Sequence, residues 1–234
     1  MATRCYFGDN AGGGLRYGAG VNPIALDATW TPGLFASQRK RLLHSKELTL
    51  GSSATSGLQG TGINPSNFCH SQYVSVPMEA QTIAGTVKGI VSAWETNPTD
   101  NYMPQLVIRV VSYNGQVVRG TLLAANDSAI SNEFDTTIDR NRKFPRNWSG
   151  AGTALSSVTV VAADRLVIEI GWRQESTSTA FGFIGDGVDW GTTPDCPERA
   201  ENETDALYSI SWIEFSQDIR WYPTLAGRRP GTRH

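Results

Sequence analysis

The residues that could act as nucleophiles or bases are few in this chain. It contains three histidines and three cysteines, which are His44, His70, His234, Cys5, Cys69 and Cys196. A catalytic serine or cysteine needs a base beside it, and the sequence contains no Gly-x-Ser-x-Gly elbow. Cys69 and His70 are neighbours in a strand-like run, so their side chains point to opposite faces. The pattern argues against nucleophilic catalysis, and three cysteines without metal-ligand spacing are typical of free thiols.

Carboxylates and glycines give no stronger indication of enzymatic chemistry. A glycosidase needs two carboxylates facing each other across a sugar site, which sequence spacing does not reveal in an all-β protein. We interpret Asp164, Glu169 and Glu214 as acids that solvate outer faces or end strands. The Gly-Ala-Gly run at 18–20 follows no strand and opens no helix, and no P-loop sequence is present. We therefore predict no catalytic residues, no cofactor and no nucleotide site.

Two binding readings remain open. The segment 183–189, which reads FIGDGVD, resembles oxygen-rich calcium loops but lacks their Asp-x-Asp-x-Asp-Gly spacing, so a solvated acidic loop and no metal site are predicted. Exposed tryptophans can stack on sugar rings, and the candidates are Trp94, Trp172 and Trp190. A core of this size also buries tryptophans, so a carbohydrate platform is the alternative interpretation.

The elements that would position these residues are mostly strands. Apolar runs rich in β-branched residues occur at 72–76, 81–94, 105–112, 117–124, 156–161, 165–173, 179–184 and 211–215. Tyr113-Asn114-Gly115 separates two of them and predicts an antiparallel hairpin with a type I′ turn. Residues 126–140 show four-residue apolar spacing typical of one short helix. The pattern predicts an all-β, antiparallel two-sheet sandwich, with a jelly roll as the expected topology and an up-and-down barrel as the alternative.

Composition and charge divide the chain into three parts. Residues 1–26 are glycine-rich and are predicted to be an extended N-terminal arm, 27–218 the β-sandwich domain, and 219–234 a basic C-terminal arm. The formal net charge of −2 gives no general attraction to nucleic acid. No run approaches the roughly 18 apolar residues of a membrane helix, and no apolar signal-peptide core follows Arg4. We expect neither membrane nor nucleic-acid partners, and we expect the protein to be made in the cytoplasm.

The C-terminal arm carries a candidate partner-binding set. Residues 219–234 contain four arginines and no acid, whereas 186–218 contain nine acids and one arginine. Aromatic and arginine side chains anchor many interfaces, and here they are Trp221, Tyr222, Arg228, Arg229 and Arg233. We expect this arm to lie outside its own sandwich and to meet acidic residues of a neighbouring subunit, which could be another copy of the chain.

Several segments of the sandwich region resemble a known group of proteins. They are TVKG at 86–89, QLVIRVVS at 105–112, VRGTLLA at 118–124, NRKFP at 141–145, WSGAGTALSS at 148–157, DRLVIEIG at 164–171 and WIEFS at 212–216. Over roughly residues 70–216 the chain is similar to mostly uncharacterised β-sandwich virion structural proteins of tailed bacteriophages and prophages. The group has no catalytic motif to carry over.

The resemblance implies a structural role in a virion. The expected function is a non-enzymatic head decoration, cement or minor capsid subunit, or otherwise a tail or baseplate component. The expected partners are major capsid or tail proteins and further copies of the chain. The alternative is a carbohydrate-recognition module that binds a host-surface glycan through the three tryptophans.

Overall fold

The structure is a computed structural model, and it describes ten stretches of the chain. These are residues 2–7, 24–31, 40–44, 49–50, 66–92, 102–125, 141–144, 152–174, 187–189 and 212–222. Within them all regular structure is β. The strands are β1 (Thr3–Phe7), β2 (Lys40–His44), β3 (Thr49–Leu50), β4 (Ser66–Val74), β5 (Gln81–Ile83), β6 (Thr86–Ser92), β7 (Tyr102–Val111), β8 (Val118–Leu123), β9 (Asn141–Phe144), β10 (Thr153–Ala154), β11 (Val158–Val160), β12 (Arg165–Gln174), β13 (Gly187–Asp189) and β14 (Trp212–Phe215).

Most of these strands belong to one long sheet. Its order is β10-β6-β14-β1-β2-β4-β12-β7-β8, with β9 also beside β6, and two small sheets pair β11 with β5 and β13 with β3. The pairs are antiparallel except β2 and β4, which run parallel. The predicted all-β class is confirmed, and the antiparallel sheets are consistent with a β-sandwich. The jelly-roll topology stays a prediction.

The main core lies between the two halves of the long sheet. Phe7 and Phe215 come from β1 and β14, while Leu106 and Ile168 come from β7 and β12. These four side chains are fully buried. At one side β11 closes the gap between β8 and β5, and Ser156 N donates to Leu122 O at 2.8 Å.

The central strands β4, β12 and β7 are buried on both faces. On β12, Leu166, Ile168 and Ile170 face the main core, whereas Val167 and Glu169 face the other way and are equally buried. The 24–31 segment covers that second face. A strand covered on both sides reads as a nearly continuous apolar run, which explains the sequences QLVIRVVS and RLVIEIGW.

The predicted hairpin is present, but its turn differs from the prediction. β7 and β8 pair antiparallel, with Val111 opposite Val118. Gly115 has φ +76°, while Asn114 is not in the left-handed region, so the type I′ assignment is wrong. Gly115 N donates to Ser112 O at 2.8 Å, and Asn114 Oδ1 accepts from Gln116 N at 3.2 Å. The longer loop needs a left-handed residue only at the glycine, because the asparagine side chain stabilises the turn instead.

The predicted N-terminal arm and the predicted helix fall only partly on residues that the structure describes. Within the predicted N-terminal arm, Thr3–Phe7 is a strand hydrogen-bonded on both sides, to β14 and β2, and Ile24 is buried. The predicted helix at 126–140 lies outside the described residues. The part of the chain that the structure describes contains no helix long and apolar enough to span a bilayer.

Candidate functional site

The densest charged chemistry in the described structure surrounds the carboxylate of Glu169, in the middle of β12. Its Oε1 accepts from Gln72 Nε2 at 2.7 Å and from the guanidinium of Arg109. Its Oε2 accepts from Trp30 Nε1 at 2.7 Å and from Asp27 N at 3.1 Å. The side chain of Glu169 has no solvent exposure, and that of Arg109 is 4% exposed. Four donors therefore replace the water that this carboxylate loses on burial.

Strand register brings the three polar side chains of the sheet together. Glu169 on β12 is opposite Gln72 on β4. Val167, the preceding residue on the same face of β12, is opposite Arg109 on β7. Directly opposite and diagonal residues of adjacent strands project from the same face within side-chain reach. Gln72, Arg109 and Glu169 therefore form one polar patch on this face of the sheet. We call these three residues, with Asp27 and Trp30, the Glu169 cluster.

The 24–31 segment crosses this patch and supplies further partners. Arg109 donates to Ala25 O at 2.9 Å, and Gln72 Nε2 lies 3.3 Å from Ile24 O. The carboxylate of Asp27 lies 4.0 Å from Arg109 Nε, and its other oxygen accepts from Thr29 N at 3.0 Å. Because Asp27 closes a local turn in this way, the segment bends and places Trp30 over Glu169.

Both ends of the segment are also held. At its start Ile24 packs against Val74, Val111 and Val167. At its end Thr31 N donates to Asn67 O at 2.9 Å, and Thr31 Oγ1 accepts from Asn67 N at the same distance. The segment is thus fixed by apolar contacts at one end, by backbone pairing at the other, and by the Glu169 cluster between them.

The thiols near this cluster and in the core are held in their neutral form. Burial and the charge of Glu169 raise the pKa of the Cys69 thiol well above its ordinary value, and Arg109 opposes this only in part. Burial raises the pKa of Cys5 to about 12. A nucleophilic cysteine needs a lowered pKa and access to solvent, and neither thiol has them.

The other acids considered in the sequence are each engaged by a basic side chain. Asp164 is 2% exposed, lies 3.1 Å from Arg119 Nε and accepts from Val161 N at 2.9 Å. Glu214 lies 2.8 Å from Arg4 on β1. The interpretation of Glu169 is wrong, because it lies buried in the middle of β12 with Arg109 compensating its charge. Asp164 directly precedes β12, as the strand-ending alternative predicts, but it is also buried and paired with Arg119. Within the described residues, no group of three or more histidine, cysteine or acidic side chains is placed to hold a metal ion.

One of the three tryptophans of the alternative carbohydrate platform is not available to bind a sugar. Trp172 is 3% exposed and stacks on Phe68, with the ring centroids 5.0 Å apart and the planes 13° from parallel. A ring enclosed in this way has no face free for a sugar, so the assignment of Trp172 as a binding residue is wrong. Trp94 and Trp190 lie outside the described residues.

The start of the predicted C-terminal arm contacts its own domain. Trp221 is partly buried against the main core, and its backbone bridges to Met78. Tyr222 N donates to Pro77 O at 2.8 Å while its ring is 50% exposed. The expectation that the arm lies outside the sandwich therefore does not hold for Trp221, whose indole finds apolar contacts beside Ile219. Arg228, Arg229 and Arg233 lie outside the described residues.

Sequence reasoning missed the Glu169 cluster as a unit. Arg109 and Glu169 each interrupt an apolar run, at the centre of QLVIRVVS and RLVIEIGW. A charged side chain flanked by apolar residues in a buried strand is costly to bury without a partner. Two apolar runs, one interrupted by a cation and the other by an anion, therefore indicate neighbouring strands that pair those charges. That signal was present for Arg109 and Glu169. Nothing comparable marks Asp27 or Trp30.

Comparison with known proteins adds little to this picture. No protein-family model matches the chain, and no curated protein matches it. Among solved structures, the chain aligns with the crystal structure of a CocE/NonD family hydrolase from Staphylococcus aureus at 10% identity and a TM-score of 0.26. The alignment covers 92% of this chain and 34% of that protein, so the chain spans about a third of its length. A similarity this low carries no argument about fold or activity.

Proposed function

We propose that the protein is a non-enzymatic structural component of a tailed-bacteriophage virion. A head decoration, cement or minor capsid subunit is the first assignment, and a tail or baseplate component the second. The sequence resemblance over residues 70–216 suggests this class. The observation that carries the proposal is that the Glu169–Arg109 pair is buried and that the Glu169 cluster holds one segment of the chain against the sheet.

An enzyme would use such a cluster differently. Catalytic acids and bases must reach a substrate, and catalytic sites lie in open clefts lined by a few polar groups. The carboxylate of Glu169 instead accepts hydrogen bonds from the chain itself, including one from the backbone N of Asp27, and Arg109 also donates to the backbone oxygen of Ala25. The hydrogen bonds and the ion pair of the Glu169 cluster fix the 24–31 segment to the sheet, which suits a structural role in an assembly.

The C-terminal arm is the part of the chain proposed to join neighbours. Trp221 anchors the start of the arm to its own core, so the partner-binding part begins at Tyr222. Arg228, Arg229 and Arg233 then meet acidic residues on another subunit, and the contact weakens as salt screens those charges. Among the described residues no observation favours the carbohydrate alternative, since Trp172 is buried.

Mass spectrometry of purified particles tests the proposal. Particles from cells that carry the chain in its own genomic setting are expected to contain it in a fixed ratio to the major capsid or tail protein. Its absence from the particles would refute the virion assignment. Cryo-electron microscopy of the same particles then separates a head position from a tail position.

A truncation tests the role of the arm. Deleting residues 223–234 spares Trp221 and Tyr222, so the domain is expected to fold with an unchanged melting temperature yet fail to join particles. A control with Arg228, Arg229 and Arg233 changed to lysine keeps the charge and is expected to incorporate. Normal incorporation of the truncated chain at ordinary salt would show that the arm has no part in assembly.

A further inference from the structure

The turn between β7 and β8 contains the one Asn-Gly pair of the sequence, Asn114-Gly115. An asparagine followed by glycine is prone to deamidation, because glycine has no side chain to keep its backbone nitrogen away from the asparagine amide. We propose that Asn114 is a spontaneous deamidation site, and that the closed turn blocks the reaction until the hairpin opens locally. The site is independent of the virion assignment.

The chemistry of this site needs only water. Gly115 N bonds to the side-chain carbonyl carbon Cγ of Asn114, the bond from Cγ to Nδ2 breaks, and ammonia leaves with the proton that Gly115 N gives up. The cyclic succinimide that results adds water at either of its carbonyls and opens to aspartate or to isoaspartate. The net change converts an amide into a carboxylic acid, with water consumed and ammonia released.

The attacking nitrogen is engaged in the closed turn. Gly115 N donates to Ser112 O at 2.8 Å. Gly115 is also buried, although Tyr113 and Gln116 on either side of the pair are exposed. The proton on Gly115 N is therefore bound to a carbonyl oxygen and shielded from the hydroxide that would remove it. The nitrogen has to leave Ser112 O before it can react.

The backbone conformation of the turn keeps the two reacting atoms apart. Gly115, the fourth residue of the turn, donates to the first, and neither Tyr113 nor Asn114 has a left-handed φ, so residues 112–115 form a type I turn. In this turn type the third residue, here Asn114, has ψ of about 0°. Gly115 N then eclipses the backbone nitrogen of Asn114 and not its Cβ. A large rotation about the Cα–C bond of Asn114 must therefore precede ring closure.

The amide of Asn114 is held at both of its polar atoms. Its Oδ1 accepts from Ser112 Oγ at 2.8 Å and from Gln116 N at 3.2 Å, and its Nδ2 donates to Gln116 Oε1 at 3.2 Å. Ser112 Oγ itself accepts from Val117 N at 3.0 Å. Rotation of Asn114 towards ring closure breaks these bonds, so each of them adds to the free energy of opening.

Both products weaken the turn that protects the site. In aspartate an oxygen replaces Nδ2, so the donor to Gln116 Oε1 is lost. In isoaspartate the backbone between residues 114 and 115 gains a methylene, which displaces Gly115 N from Ser112 O. A hairpin that has reacted is therefore expected to open more readily than the original one.

Peptide mapping by mass spectrometry tests the site and its protection. Cleavage after Arg109 and Arg119 releases residues 110–119, in which Asn114 is the one asparagine. The folded chain and the chain unfolded in guanidinium chloride are incubated in the same mildly alkaline buffer. We expect the folded chain to deamidate at least about tenfold more slowly, which corresponds to an opening free energy of about 1.4 kcal/mol or more. Equal rates would refute the protection, and an unfolded chain that keeps Asn114 intact would refute the site.

A substitution in the turn provides an independent test. Ser112→Ala removes the hydroxyl that holds Asn114 and Val117 N, so deamidation of the folded chain should accelerate while the rate in guanidinium chloride stays the same. The matched control Ser157→Ala changes an exposed serine between β10 and β11 and should leave both rates unchanged. Hydrogen exchange at the Gly115 amide should rise with the deamidation rate, because both require Gly115 N to leave Ser112 O. A Ser112→Ala chain that melts cooperatively but deamidates at the original rate would overturn the role of the turn.

Discussion

Replacing Arg109 with methionine tests the buried charge pair directly. Methionine keeps much of the apolar stem but leaves Glu169 as a buried carboxylate without its guanidinium, and it also removes the hydrogen bond to Ala25 O. Breaking a buried pair by removing one partner costs about 3–5 kcal/mol. For a chain of this size that loss corresponds to a melting temperature lower by roughly 6–20 °C.

A second substitution separates charge from packing. Glu169→Gln in the Arg109→Met background removes the uncompensated charge and retains one acceptor oxygen for Trp30 Nε1 or Asp27 N. The double variant is therefore expected to be more stable than Arg109→Met alone, by about 1–3 kcal/mol. Glu169→Gln alone is expected to be destabilised, since it leaves Arg109 buried with Asp27 at 4.0 Å as its nearest carboxylate partner.

Urea unfolding followed by circular dichroism measures these free energies. Hydrogen exchange measures the local effect. In Arg109→Met the backbone amides of residues 24–31 are expected to lose protection before those of β7 and β12. A change of less than about 1 kcal/mol in the free energy of unfolding for Arg109→Met would contradict a stabilising buried charge pair, as would a further loss of stability on adding Glu169→Gln.

Four further predictions concern particular positions. Gly171→Ala should destabilise the fold by more than about 3 kcal/mol in urea unfolding, because a Cβ there overlaps the backbone of β4; near-native stability would contradict that geometry. Ala163 has φ +75°, so Ala163→Gly should raise stability by roughly 0.5 kcal/mol, and a loss would show that the turn is unstrained. Cys5 and Cys69 should resist Ellman's reagent at pH 8 until the protein unfolds, and their rapid reaction would contradict their burial. Since the folded pKa of Cys5 is raised from 9.0 to about 12, its stabilising contribution should be complete below pH 9 and lost as pH rises towards 12. Cys5→Ala should therefore weaken the loss of stability above pH 9, and the raised pKa of Cys69 accounts for part of what remains.

The strands around the site were predictable from local sequence. The runs that form β7 and β12 are rich in β-branched residues, and Asn114-Gly115 marked the antiparallel partner of β7 correctly, although its turn type required knowledge of the loop. The parallel contact of β2 with β4 was not predictable, because it joins only three residue pairs and the short run at Lys40–His44 carries no local signal for a distant partner.

The Glu169 cluster depended on information that the sequence does not hold locally. β12 is apolar on both faces, so alternation could not say which face Glu169 occupies or that the face is covered. The 24–31 segment has no periodicity, and the predicted boundary at residue 26 divides it between the N-terminal arm and the β-sandwich domain. Its position is set by Asp27, Trp30 and backbone groups meeting partners more than a hundred residues away.

The placement of β1 has a consequence for how the chain folds. This strand completes the sheet by pairing with β14, so that Arg4 meets Glu214 across 210 residues of chain. At about 5–20 residues per second, the ribosome finishes β14 roughly 10–40 s after β1 has been made. During that interval the apolar side chains of Cys5 and Phe7 lack one of their two neighbouring strands. Contacts this distant in sequence slow folding, so the two ends of the chain are expected to join late, and a chain stopped before β14 leaves β1 with an open edge prone to aggregation.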